Sequence, residues 1–147
     1  MKIKKSILEL HKFWVVRSQF LVNPPSENQQ TPENIELDID FEILVGEDLF
    51  KIVLQLEGNK GKKRKVGYSF KIEVEGIFGF SEKMSEEDSQ HILLYSAIPM
   101  MIANTRGYLA NITSYSFFGQ YLLPSVDINN LIEKKVKAEQ IKQNQEK

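Results

Sequence analysis

Residues 68–80 alternate with a strict period of two. Tyr68, Phe70, Ile72, Val74, Gly76, Phe78 and Phe80 share one parity, and Lys71, Glu73 and Glu75 fall on the other. Successive side chains of a strand point to opposite faces. The segment therefore predicts a strand with one buried and one wet face, as in an antiparallel sheet covered on one side. Three earlier segments read the same way. Residues 13–22 place Trp14, Val16, Ser18, Phe20 and Val22 together, and Asn23-Pro24-Pro25-Ser26 ends the run because proline cannot donate to a ladder. Residues 35–45 put Ile35, Leu37, Ile39, Phe41, Ile43 and Val45 opposite Glu36, Asp38, Asp40 and Glu42. Residues 49–57 put Phe50, Ile52, Leu54 and Leu56 on one face, and the short turn Gly46-Glu47-Asp48 predicts antiparallel pairing with the strand before it. The polar stretch 27–34 reads as a long crossing loop, and residues 58–65 as a hairpin loop rich in glycine and lysine.

The second half changes period. Ser85 is placed to cap a helix, with Glu86, Glu87 and Asp88 in the first turn where the helix dipole favours them. Pro99 lacks a backbone donor and predicts a break or kink. Helix then resumes through Met101, Ile102, Leu109 and Ile112, with Gly119 as its stop. A short aromatic-rich extended piece follows at residues 121–124. Asp127 is placed to cap a last helix, with Ile128, Leu131, Ile132 and Val136 on one side. Strands first and helices last predict an α+β domain, a four-stranded antiparallel sheet followed by a helical layer. Residues 1–136 read as one domain, and residues 137–147, with few apolar side chains, as a fraying tail.

Little in the chain points to chemistry. It has 147 residues, a net charge of −1 and no cysteine. The near-zero charge argues against nucleic acid or an anionic membrane as the general partner. The lack of cysteine removes disulfides, thiolate nucleophiles and zinc–cysteine sites. The basic start has no long apolar run or small-residue cleavage site, and no stretch approaches the roughly 20 apolar residues of a membrane span. A cytoplasmic protein without membrane insertion is the expectation. His11 and His91 have no ligand partner at helical or strand spacing, so no metal or cofactor is expected. The acidic row from Glu36 to Glu42 could meet a divalent cation, but alternation on a solvated strand already explains it. The Lys60–Lys65 loop could touch phosphates, but it is short and holds no aromatic residue. No nucleophile elbow or phosphate-binding glycine loop is present.

What remains is an excess of apolar surface. Nine phenylalanines, five tyrosines and one tryptophan are many for one sheet and its helices. Some should lie at a subunit interface or in a groove for a partner. Trp14, Val16, Phe20, Ile43, Phe78, Tyr108, Ile112 and Tyr121 are the candidates for client or subunit contacts. An enzyme would need a pocket with convergent polar groups, which the sequence does not supply.

Several short motifs, in order, resemble one family. Val16-Arg17-Ser18-Gln19-Phe20 with Pro24-Pro25, then Leu37-Asp38-Ile39-Asp40, are similar to the first two strands of the SecB-type export chaperones. Glu73-Val74-Glu75-Gly76-Ile77-Phe78 resembles that family's most recognisable strand. Ile98-Pro99 with Ala103 and Arg106 resembles its long helix, and Tyr121-Leu122-Leu123-Pro124 with residues 127–131 its closing piece. The resemblance covers about residues 13–133. It implies the α+β fold, a homo-oligomer (a dimer or a dimer of dimers), and an ATP-independent holdase for unfolded client polypeptides, with a role in protein export. Family members serving general secretion are strongly acidic and dock on the SecA motor. This chain is near neutral, ends in Lys134, Lys135, Lys137, Lys142 and Lys147, and lacks the cysteine beside the helix proline. SecA docking therefore does not follow. Divergent relatives act as dedicated chaperones of one client, such as an antitoxin, and that role, or an adaptor subunit binding one folded partner, stays open.

Overall fold

Four strands form one antiparallel sheet in the order β1-β4-β3-β2, in a computed structural model that describes all 147 residues. The strands are β1 (Leu8–Asn23), β2 (Leu37–Val45), β3 (Phe50–Gly58) and β4 (Gly67–Phe80). Alternation places β3 and β4 as expected: Ile52, Leu54 and Leu56 face the core with Phe70, Ile72, Val74 and Phe78. Because β3 and β4 occupy the centre, their inner faces are the driest part of the molecule.

β1 departs from the sequence reading. It starts five residues earlier, at Leu8 instead of residue 13, and its face changes parity twice. The pairing with β4 shifts by one residue between Leu10 and Lys12 and again between Val15 and Arg17, which leaves His11 and Val16 without partners. Each is a bulge, an extra residue that resets which side chains face inward. Leu10, Phe13, Val15 and Phe20 pack on the core, while Trp14 lies opposite Glu75 on the outer face. The even-numbered apolar face expected for residues 14–22 is thus broken at Val16, which is 50% exposed.

The helical layer is α1 (Glu86–Ile92), α2 (Ile98–Thr113) and α3 (Ile128–Gln145). Ser85 caps α1 by accepting from the Asp88 amide at 3.2 Å. Pro99 neither breaks nor ends the helix. A five-residue π-turn, Leu93–Ala97, precedes it, and the Ile98 amide reaches back to the Leu93 carbonyl. Pro99 then lies at the second residue of α2, directly after the π-turn. The wider turn absorbs the residue whose ring would otherwise crowd the preceding carbonyls.

α2 ends at Thr113, well before Gly119. The Thr113 hydroxyl donates to the Leu109 carbonyl at 2.8 Å and accepts from the Tyr121 amide at 2.9 Å. That pair folds the chain back on itself, and Gly119, at φ +75°, closes a later turn. Asp127 caps α3 by accepting from the Asn130 amide at 3.0 Å. α3 continues to Gln145, through the segment expected to fray, although only Ile132 of this helix is buried. Ile98, Met101, Ile102 and Leu109 of α2, with Leu93, Ala97, Leu123 and Ile132, close the core over the sheet.

Candidate functional site

One covered face and two edges determine where this molecule can meet a partner. β2 is hydrogen-bonded to β3 alone, so its other side is a free strand edge. Such an edge presents unpaired backbone groups. Beside it runs a groove of about 350 Å³ between β2 and the helices, with Phe41, Ile43, Leu44, Leu94, Ile132 and Val136 as its apolar lining. Leu44 is 49% and Val136 45% exposed.

α3 is held against this edge by one polar anchor. Lys135 donates to Asp40 at 2.8 Å and lies 5.5 Å from the Phe41 ring centre. The other contact of Asp40 is the Phe41 amide, which donates to it at 2.8 Å. Burial pushes the Asp40 carboxyl up, but Lys135, the Phe41 amide and Lys142 together hold it below the usual carboxylate value.

The opposite edge carries a second apolar surface. Phe20 and Leu21 of β1 and Ile112 of α2 line an open groove of about 630 Å³, with Ser18 and Gln19. Phe20 joins this groove to an aromatic cluster. The Tyr68 ring meets Phe20, Phe118 and Tyr121 edge-on at 6.0, 5.7 and 6.3 Å, and Tyr121 lies 5.3 Å from Phe70. The Tyr68 hydroxyl donates to the Gly119 carbonyl at 2.6 Å and accepts from the Phe118 amide at 3.0 Å. One buried phenol therefore fixes the segment that carries both rings. Burial raises the Tyr121 phenol above its ordinary value.

The sequence-derived candidates separate on this frame. Phe20 and Ile112 line the β1-side groove together, Tyr121 is linked to Phe20 through the Tyr68 ring, and, of the candidates, Ile43 alone lies in the β2 groove. Tyr108 is half-buried against the core. Trp14 is on the outer face, between Lys12 and Lys51 at 5.6 and 5.8 Å from its ring, and Val16 is a bulge residue. Phe78 is 0% exposed and belongs to the core, so it meets neither client nor neighbouring subunit in this arrangement. Its burial follows from its central strand: Phe78 pairs with Leu10 on one side and Phe50 on the other. Phe41, Leu44, Leu94 and Val136 were missed. Helical spacing around Val136 placed it on an apolar side, but nothing local said which strand it would meet.

No curated protein sequence matches the chain. Residues 19–139 match the family described as SecB, preprotein translocase subunit SecB. The chain belongs to the SecB family. Its fold is also that of a SecB-like chaperone, Rv1957 of Mycobacterium tuberculosis, solved in complex with a ChAD peptide from the HigA1 antitoxin Rv1956. The two share 16% identity and a TM-score of 0.55, over 82% of this chain and 91% of that one. At that identity the likeness is one of fold: the SecB sheet with its helical layer. No helix of this SecB-family chain is long and apolar enough to cross a membrane.

Proposed function

We propose that this chain is a cytoplasmic, ATP-independent chaperone that holds apolar segments of unfolded polypeptides in extended form. The observation that carries this reading is the free β2 edge with an apolar groove along it. An extended segment can pair its backbone with the edge while alternate side chains enter the groove. Burial of apolar area there is worth roughly 25 cal/mol per Å². Membership of the SecB family supports the same reading, and the expected assembly is a dimer or a dimer of dimers. Substrate turnover is no part of this reading.

The test is light-scattering aggregation of a denatured model protein without nucleotide. The wild-type chain should suppress aggregation near stoichiometric ratios. Leu44→Asp combined with Val136→Asp alters two half-exposed groove positions and should weaken suppression several-fold with helix content unchanged. Full activity in that variant would move the client site elsewhere.

A second reading has its own support. The near-neutral charge and lysine-rich end depart from chaperones of general secretion, and the fold neighbour was solved with an antitoxin peptide. A chaperone dedicated to one client would leave the model protein to aggregate and would co-purify with one partner at fixed stoichiometry.

A further inference from the structure

The two ends of the β2–β3 ladder fix which backbone groups of β2 are free. The Asn59 amide donates to the Glu36 carbonyl at 3.1 Å, and the Gly46 amide donates to the Leu49 carbonyl at 2.8 Å. Both pairs continue the register that sets Leu37 opposite Gly58 and Val45 opposite Phe50. In an antiparallel pair, hydrogen-bonded and non-hydrogen-bonded positions alternate. The even-numbered residues of β2 therefore bond to β3. The N–H and C=O groups of Ile39, Phe41, Ile43 and Val45 point to the free edge.

That edge is covered at its middle. The Phe41 amide donates to Oδ1 of Asp40 at 2.8 Å. The same oxygen accepts from Lys135 at 2.8 Å. Asp40 belongs by parity to the outer face of the sheet, opposite Gln55. Lys135 reaches it from α3 and lines the groove together with Phe41. The carboxylate thus wraps around the strand edge. It sits where an incoming strand would place a carbonyl oxygen.

The clasp is braced. The Lys135 side chain is 18% exposed, and its ammonium lies 5.5 Å from the Phe41 ring centre. The residue that anchors Asp40 is therefore packed on the residue whose amide Asp40 covers. An uncovered edge donor is a template for a foreign strand, and a covered one is not.

We propose that Asp40 stands, in the free chain, in the place of a client main-chain carbonyl, and that a client strand seats on β2 by displacing it from the Phe41 amide. Lys135 is the positioning residue that holds Asp40 there. This rests on the reading of the β2 edge as the client site and adds what the client must displace. A clasp on the main chain lowers affinity for every client by the same factor, the fraction of chains in which the edge is open. Discrimination between clients then falls to the apolar side chains of the groove.

The test uses the full chain and two fluorescent peptides of one apolar sequence. One has ordinary amides, and the other is N-methylated throughout and cannot pair as a strand. The ordinary peptide should bind Asp40→Ala about tenfold more tightly than wild type, the worth of one charge-assisted hydrogen bond. Asp40→Asn keeps an acceptor for the amide but loses the ion pair, and should fall between the two. Lys135→Met keeps an apolar stem over Phe41 and should shift affinity in the same direction. In the peptide-free chain, hydrogen exchange at the Phe41 amide should be about tenfold faster in Asp40→Ala than in wild type. Unchanged affinity of the ordinary peptide for Asp40→Ala overturns the clasp. The client reading of the edge survives that result if the ordinary peptide still outbinds its N-methylated form. Equal binding of the two peptides removes edge pairing and clasp together. Self-association of Asp40→Ala at rising concentration, in place of tighter peptide binding, overturns the proposal in favour of a guard against pairing with a second copy.

Discussion

Two glycines separate backbone need from packing need. A Cβ on Gly58 would stand 2.3 Å from the Phe70 ring, and a Cβ on Gly76 would stand 2.6 Å from the Met101 sulfur. A ring held in the sheet cannot yield as a thioether can. Gly58→Ala should therefore cost about 1–3 kcal/mol of stability, and Gly76→Ala less. Urea denaturation of both variants would show it, and the reverse order would mean that Met101 is the more tightly held. Phe78→Ala should cost about 3–5 kcal/mol, read as a large drop in Tm, because a core ring is lost. Alternation was enough to say that Phe78, Ile72 and Val74 share a face. It could not say which end of that face the helices cover, so a core ring was counted with Phe20 and Ile112 as contact surface.

At the scale of elements, α3 hangs on few contacts. Ile132 is its one buried residue, and Lys135–Asp40 is its polar tie to the sheet. The Asp40 carboxyl titrates below its unfolded value of 3.8. A depressed carboxyl adds stability above its unfolded pKa and loses it as pH falls through the lower folded value. The difference in stability between wild type and Asp40→Asn should thus be present near neutral pH and vanish in acid, once the pH has fallen through the carboxyl's lowered value. Asp40 is 64% exposed, so that difference should stay under about 1 kcal/mol. Urea midpoints across that range test it, and a gap that persists in acid would rule out the ion pair as its source. The caps of α1 and α3 were legible because Ser85 and Asp127 act on amides three residues away. The π-turn was not. Pro99 announces only that something must give, and whether the helix breaks or widens depends on Leu93, Ala97 and Ile98 being anchored in the core.

For the molecule as a whole, strand order was the least legible property. Four amphipathic segments do not state which two are central. The run of residues 68–80, the longest alternation in the chain, fits a central strand, and the acidic row on β2 fits an edge. The wet face was predicted well except where β1 changes phase. That change of phase has a consequence for how the gene can vary. His11 and Val16 have no opposite number in β4. Removing either one brings its neighbours into an unbroken ladder, with every other side chain still on its present face. Removing Gln19 instead would turn one end of the strand inside out. Single-codon deletions should accordingly be survived at His11 and Val16 and lethal to folding at Gln19, as circular dichroism of the three shortened chains would record. The longest strand of the sheet thus carries two positions at which its length is free to drift.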